Sequence, residues 1–265
     1  MFIAVCAVAL AAETNLLLGL PLNNSSFYIF IFGATLAQYN LHYLVKKTAV
    51  PGSLRLKWSL VNKNIHRILF LLGCGCILFS LFQFQLRHFY ILSILGAIAV
   101  VYSYPAIPFI SKKRIKDYGL LKIFTLALFW TLVTVWFPVS DMITDKINYA
   151  LVFSMRFIFI FVLCLLFDIR DIAIDSQEGI NTLPVLLGKE NSYRLALILL
   201  IGFCILAIVQ FIYTKNYFFV LIMVISAIST AGIMQLSRKM DSDVMYLAGI
   251  DGMMLLQAVL VIVVR

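Results

Sequence analysis

Apolar residues run along this chain in long unbroken stretches, not in the one-faced periodicity of a soluble helix. Nine stretches stand out, near 1–20, 25–45, 66–84, 88–105, 119–139, 147–167, 193–213, 217–236 and 244–264. Each is close to the roughly 20 residues that a helix needs to cross a bilayer. They lack the alternation of barrel strands and are too long for one strand each. The pattern predicts an all-α polytopic membrane helical bundle of about nine transmembrane helices. The runs fill most of the 265 residues, which leaves no room for a separate soluble unit. Residues 1–265 therefore read as a single integral-membrane domain. The first run begins at Met1 without a charged leader or a cleavage site, so it reads as a retained span, not a signal peptide.

Composition agrees with this. The chain is 63% hydrophobic and 12% charged, against about 45–50% and about 25% in soluble domains. Disorder is excluded on the same ground. The charges are lopsided, 21 Lys and Arg against 12 Asp and Glu, and they are clustered. With the N-terminus inside, sixteen of the 21 basic residues fall on inside connections. This bias predicts a cytoplasmic mouth, in a bacterial inner membrane. Topology and anionic lipid account for the basic excess, and nucleic acid is not an expected partner. The five cysteines (Cys6, Cys74, Cys76, Cys164 and Cys204) lie inside apolar runs. They show no metal-ligand spacing and read as packing residues.

Acidic residues are more informative, because ionisable groups are costly in lipid. The connection after the sixth run begins FDIRDIAIDSQEG, with Asp168, Asp171, Asp175 and Glu178. Spaced i, i+3 and i+7, Asp168, Asp171 and Asp175 share a narrow arc of one helical face, with Arg170 pointing elsewhere. Stacked carboxylates repel unless a cation sits among them, and an all-oxygen set suits Mg2+ bridging to a phosphate. A solvated helix end with ordinary charges is the plainer reading. Gly179 is expected to break the helix, and Pro184 to start another. The connection between the fourth and fifth runs reads YSYPAIPFISKKRIKDYGLLK. Its cations either grip a diphosphate through charge-assisted hydrogen bonds or simply flank the membrane.

FDIRDIAIDSQEGINTLPVLLG resembles the second aspartate-rich motif of the UbiA-type intramembrane prenyltransferases. YSYP with its basic run and Gly-Leu-Leu-Lys helix start resembles that family's Tyr-Ser-x-Pro…Arg-x-Lys segment. The resemblance implies a UbiA-like bundle. It also implies transfer of an isoprenoid chain from a prenyl diphosphate to a lipophilic, aromatic or quinone-type acceptor, with Mg2+ against the diphosphate. Asp168, Asp171 and Asp175 would be the metal ligands and catalytic acids. Tyr102, Arg114 and Lys116 would lie on the diphosphate side.

The first motif departs from that pattern. The family expects Asn-Asp-x-x-Asp-x-x-x-Asp at the end of the second span, where this chain reads QYNLHYLVKKT. Asn40 matches the leading Asn, but the acidic positions are Leu41, Leu44 and Thr48, and residues 38–67 contain no Asp or Glu. Two readings follow. One keeps an atypical one-motif site, in which Asn40, Lys46 and Lys47 meet the substrate and the lysines stand in for the missing metal. The other is a non-catalytic descendant that binds an isoprenoid or lipid diphosphate. His42 reads as an interfacial hydrogen-bonder, not a catalyst.

Three further charges lie inside runs. Glu13 and Arg156 are both about 16–18 Å deep at 1.5 Å per residue. Opposite charges at equal depth predict an ion pair between the first and sixth spans. Asp251 reads as a packing residue.

Overall fold

The structure, a computed structural model, describes residues 1–45, 54–103, 119–140, 142, 145–177, 179–239, 242 and 245–264. The elements in chain order are α1 (Phe2–Leu17), α2 (Ser25–Val45), α3 (Leu54–Val61), α4 (Lys63–Leu81) and α5 (Leu86–Ser103). They continue with α6 (Gly119–Val139), α7 (Lys146–Arg170), α8 (Ile172–Gln177), α9 (Leu183–Leu187), α10 (Lys189–Thr214) and α11 (Tyr217–Lys239). The last is α12 (Met245–Val264). Each of the nine apolar runs has most of its described residues on a helix. Among the described residues, six helices (α4, α6, α7, α10, α11 and α12) are long and apolar enough to cross a membrane. At 16 residues, α1 spans only about 24 Å at 1.5 Å per residue.

The core gathers around α7, whose Met155, Phe159, Val162, Leu163 and Leu166 are buried. Asp145 caps this helix, accepting from the backbone N–H groups of Ile147 and Asn148 at 3.1 and 3.0 Å. The predicted pair forms on its inner face. Arg156 Nη2 donates to Glu13 Oε2 at 2.8 Å, with both side chains almost fully enclosed.

Helix α6 widens over Leu132–Trp136 before Pro138. Proline brings no N–H to the carbonyl one turn back, that of Thr134. That oxygen accepts instead from Thr14 Oγ1 of α1 at 2.7 Å. Backbone groups freed within a membrane bundle must find such partners. Helices α2 and α4 pack more closely, backbone against backbone. A Cβ on Gly73 would come within 2.7 Å of the Gly33 carbonyl oxygen. Phe27 and Phe30 of α2 meet Phe137 of α6 at 4.6 and 5.9 Å between ring centroids. The N-terminal end of α2 therefore lies beside the C-terminal end of α6. The C-terminal end of α2 and the start of α6 share the opposite end of the bundle.

Candidate functional site

At that shared end lies a buried charge cluster. Lys122, one turn into α6, donates to Asp168 Oδ1 at 2.9 Å and stands 3.5 Å from Asp175 Oδ2. Asp168 and Asp175 are buried, and Lys122 is largely so. The chain delivers the two acids from different elements. Asp168 belongs to the last turn of α7, and Asp175 lies in α8. Burial pushes the Asp175 carboxyl above the usual carboxylate range, while the Lys122 ammonium pulls it back.

Gly179 ends α8 as expected, with φ at +68°. Ile180 N–H donates to the Asp175 carbonyl at 2.8 Å, and Gly179 N–H to that of Ser176 at 3.2 Å. This pair of bonds is a Schellman closure, which needs the left-handed residue that glycine supplies. Pro184 stands at the start of α9, and Gly188, φ +79°, joins α9 to α10. The segment between α8 and α9 lies against the beginning of α6. A Cβ on Gly119 would overlap the Asn181 carbonyl group and the Thr182 nitrogen.

The predicted single arc of three carboxylates is not what forms. Asp171 terminates α7 with ψ near 5°, and its side chain is about one-third exposed. Arg170, expected to point elsewhere, turns onto it instead. Its Nε and Nη2 donate to the two Asp171 oxygens at 2.8 and 3.0 Å. The guanidinium lies 5.2 and 5.0 Å from the ring centroids of Phe167 and Tyr246, so aromatic faces hold it in place. Among the described residues, no three His, Cys, Asp or Glu side chains converge as a metal site. Two of the acids still suit a cation. Asp168 Oδ2 is buried and accepts no hydrogen bond among the described residues, and Asp175 Oδ2, buried too, has the Lys122 ammonium at 3.5 Å and the Thr182 side chain beside it. The place between those two acids is held by the Lys122 ammonium.

Asn40 is buried on the α4 side of α2. His66 Nδ1 lies 2.8 Å from Asn40 Oδ1, and Asn40 Nδ2 donates to the Leu36 carbonyl at 2.7 Å. An amide oxygen only accepts, so His66 carries its proton on Nδ1. His66 Nε2 lies 2.8 Å from Ser59 Oγ, accepting from it when the imidazole is neutral, and Tyr43 stacks on the ring at 4.8 Å. This network ties α3 and α4 to α2 where the resemblance expects the first acidic motif. Tyr102 lies near the end of α5. Lys46, Lys47, Arg114 and Lys116 lie outside the described residues.

Above the charge cluster a cavity of about 530 Å³ opens between α1, α2, α5 and α6. Its walls are apolar and aromatic, with Phe30, Phe129, Trp130 and Phe137 among them. Polar groups collect at the α2 C-terminal end, where the exposed Gln38 and His42 and the half-buried Tyr39 line its open side. Thr125 and Leu126 line it from α6. They lie three and four residues beyond Lys122 and so share its face. Along α6 the cavity lining thus ends about one helical turn from Lys122.

In the sequence, Lys122 is one more cation of the basic connection and begins a helix. Its signal was a single charge set three residues into an apolar helix. His66 carried no comparable signal.

The sequence pattern of the UbiA prenyltransferase family matches residues 59–246. No curated protein matches the chain. Among solved structures, it is similar to a UbiA homologue from Archaeoglobus fulgidus bound to GPP and Mg2+. That likeness covers 99% of this chain and 94% of the other, with a TM-score of 0.57 and 16% identity. It is also similar to the apo UbiA homologue from Aeropyrum pernix K1, over 98% and 94% of the two chains, with a TM-score of 0.53 and 15% identity. At these identities the likeness to solved structures is one of fold.

Proposed function

Since the chain belongs to the UbiA prenyltransferase family, we propose that it binds a prenyl diphosphate and transfers the isoprenoid chain to a lipophilic, aromatic or quinone-type acceptor. The observation that carries this reading is the apolar, aromatic-walled cavity whose α6 wall ends one turn from Lys122, the partner of Asp168 and Asp175. Such a cavity suits a hydrocarbon chain, and charged groups at its end suit a diphosphate. The GPP and Mg2+ on the Archaeoglobus homologue support the same division of the ligand.

The residues take the following roles. Phe30, Phe129 and Trp130 surround the chain, exclude water and offer ring faces to a developing allylic cation. Asp168 and Asp175 stand where the resemblance puts Mg2+ against the diphosphate, and the Lys122 ammonium holds the place between them. Asp171 orders Arg170 at the rim. Lys46, Lys47, Tyr102, Arg114 and Lys116 remain assigned to the diphosphate side. Asn40 acts through His66 to hold α2 against α4. The basic bias supports a cytoplasmic mouth in a bacterial inner membrane, with residues 1–265 as one integral-membrane domain among membrane lipid.

A second reading, binding without transfer, is favoured by one observation. The Asn40–His66–Ser59 network stands where acids would complete the site. Purified protein incubated with labelled geranyl or farnesyl diphosphate and quinone-type acceptors separates the two. A prenylated acceptor supports transfer, whereas saturable binding without product supports the second reading. Absence of both binding and product contradicts each.

The cavity makes a further demand. Gly96 lines it, and a Cβ there meets nothing within 4 Å. Gly96→Phe should fill the space, weakening farnesyl diphosphate binding at least about tenfold, or about 1.4 kcal/mol. Equilibrium binding of the labelled ligand reads this, with the melting temperature little changed.

A further inference from the structure

A buried pair of carboxylates needs positive charge, and in this protein that charge is built into the chain. Lys122 Nζ is 2.9 Å from Asp168 Oδ1 and 3.5 Å from Asp175 Oδ2. These are ammonium distances. A magnesium ion in the same place demands oxygens at about 2.0–2.1 Å in octahedral array, so the two acids would have to close in by about 1 Å. The third acid of the expected trio, Asp171, is spent on a two-pronged bond to Arg170. Residues 38–67 contain no Asp or Glu to complete a cage from the opposite side. That stretch supplies the Asn40–His66–Ser59 network instead.

We propose that Lys122 is the resident cation of this site. Its ammonium takes the metal's place between Asp168 and Asp175, so the wild-type protein binds a prenyl diphosphate without a divalent ion. The diphosphate half of this statement rests on the function proposed above. The acids then serve to fix the ammonium, and a lysine held as a point charge is a competent phosphate binder. Removing the charge should convert the acids into a divalent-metal site, because two buried carboxylates would be left without their cation.

Two measurements test this, and they fail separately. The first is equilibrium binding of labelled farnesyl diphosphate to the purified full chain, in EDTA and in excess Mg2+. Affinities equal within about twofold are expected, and a loss of tenfold or more in EDTA overturns the proposal. No binding under either condition sinks the prenyl diphosphate reading and, with it, the diphosphate half of this one. The second is Mn2+ binding followed by electron paramagnetic resonance, which decides the Lys122 assignment without any diphosphate. Wild-type protein should bind Mn2+ no more tightly than Asp168→Asn. Lys122→Met should bind it at least tenfold more tightly, with the gain abolished by adding Asp168→Asn. Wild-type Mn2+ binding that Asp168→Asn removes overturns the assignment, whether or not Lys122→Met folds. Unchanged Mn2+ binding in a folded Lys122→Met protein overturns it as well.

Discussion

Replacing Arg156 by methionine should cost about 3–5 kcal/mol of stability, because it strands a charged Glu13 inside the bundle. The pair is enclosed by protein on all sides, with Arg156 Nη2 2.8 Å from Glu13 Oε2 and a second, longer bond of 3.4 Å to the Leu10 carbonyl. Water does not reach either group to take over from a lost partner, so the remaining charge bears its full desolvation cost. The pair is also incompletely bonded. Glu13 Oε1 and Arg156 Nη1 have no hydrogen-bond partner among the described residues, so its net contribution over an apolar pair is small. Two outcomes follow for thermal unfolding of detergent-purified protein. Either single change, Arg156→Met or Arg156→Glu, should lower the midpoint severely. The reversed pair, Glu13→Arg with Arg156→Glu, should restore most of the loss. Equal damage from the single and double reversals would refute the pairing.

Gly119→Ala should lower prenyl diphosphate affinity by about a hundredfold while leaving most of the bundle folded. The added Cβ collides with backbone, the Asn181 carbonyl and the Thr182 nitrogen, and backbone cannot rotate aside as a flexible side chain can. The α8–α9 segment must therefore move away from α6. That segment is tied to Asp175 through the Ile180 N–H bond to its carbonyl. Lys122, one turn beyond Gly119, is tied to α7 through Asp168. A displacement near 1 Å thus opens the acid pair around its cation, and misplacement on that scale is worth about 10² in a positioned site. Circular dichroism should be nearly unchanged while ligand binding collapses. Wild-type affinity in this variant would detach the segment from the site.

Much of the fold could be read from one dimension. Each apolar run became a helix, since a bilayer demands length and apolarity before anything else. The Glu13–Arg156 pair was legible because depth along a span is simple arithmetic and unpaired charges are scarce there. The break at Gly179 was legible from local backbone preference. The missing first motif was visible directly, as thirty residues without an acid. What escaped was contact across helices. Helical period places Asp168, Asp171 and Asp175 on one arc, but it does not reveal that α7 stops at Asp171. Nor does it show that Arg170 folds back under Tyr246, a residue 76 positions later in the chain. Lys122 lies 46 positions from Asp168, and only packing of α6 on α7 brings them together. His66 joined Asn40 for the same reason, through the close approach of α2 and α4 that Gly33 and Gly73 permit.

On the proposed function, an isoprenoid chain lies between α1, α2, α5 and α6 with its diphosphate toward Lys122. A prenyl diphosphate analogue carrying a diazirine at the chain terminus tests it most directly. After irradiation of the purified protein, adducts are mapped by mass spectrometry. Labelling should concentrate at cavity residues such as Phe30, Leu92, Phe129 and Phe137, and unlabelled farnesyl diphosphate should suppress it. Adducts spread over exposed, outward-facing residues such as Ile198 and Ile208, and insensitive to competitor, would contradict the account.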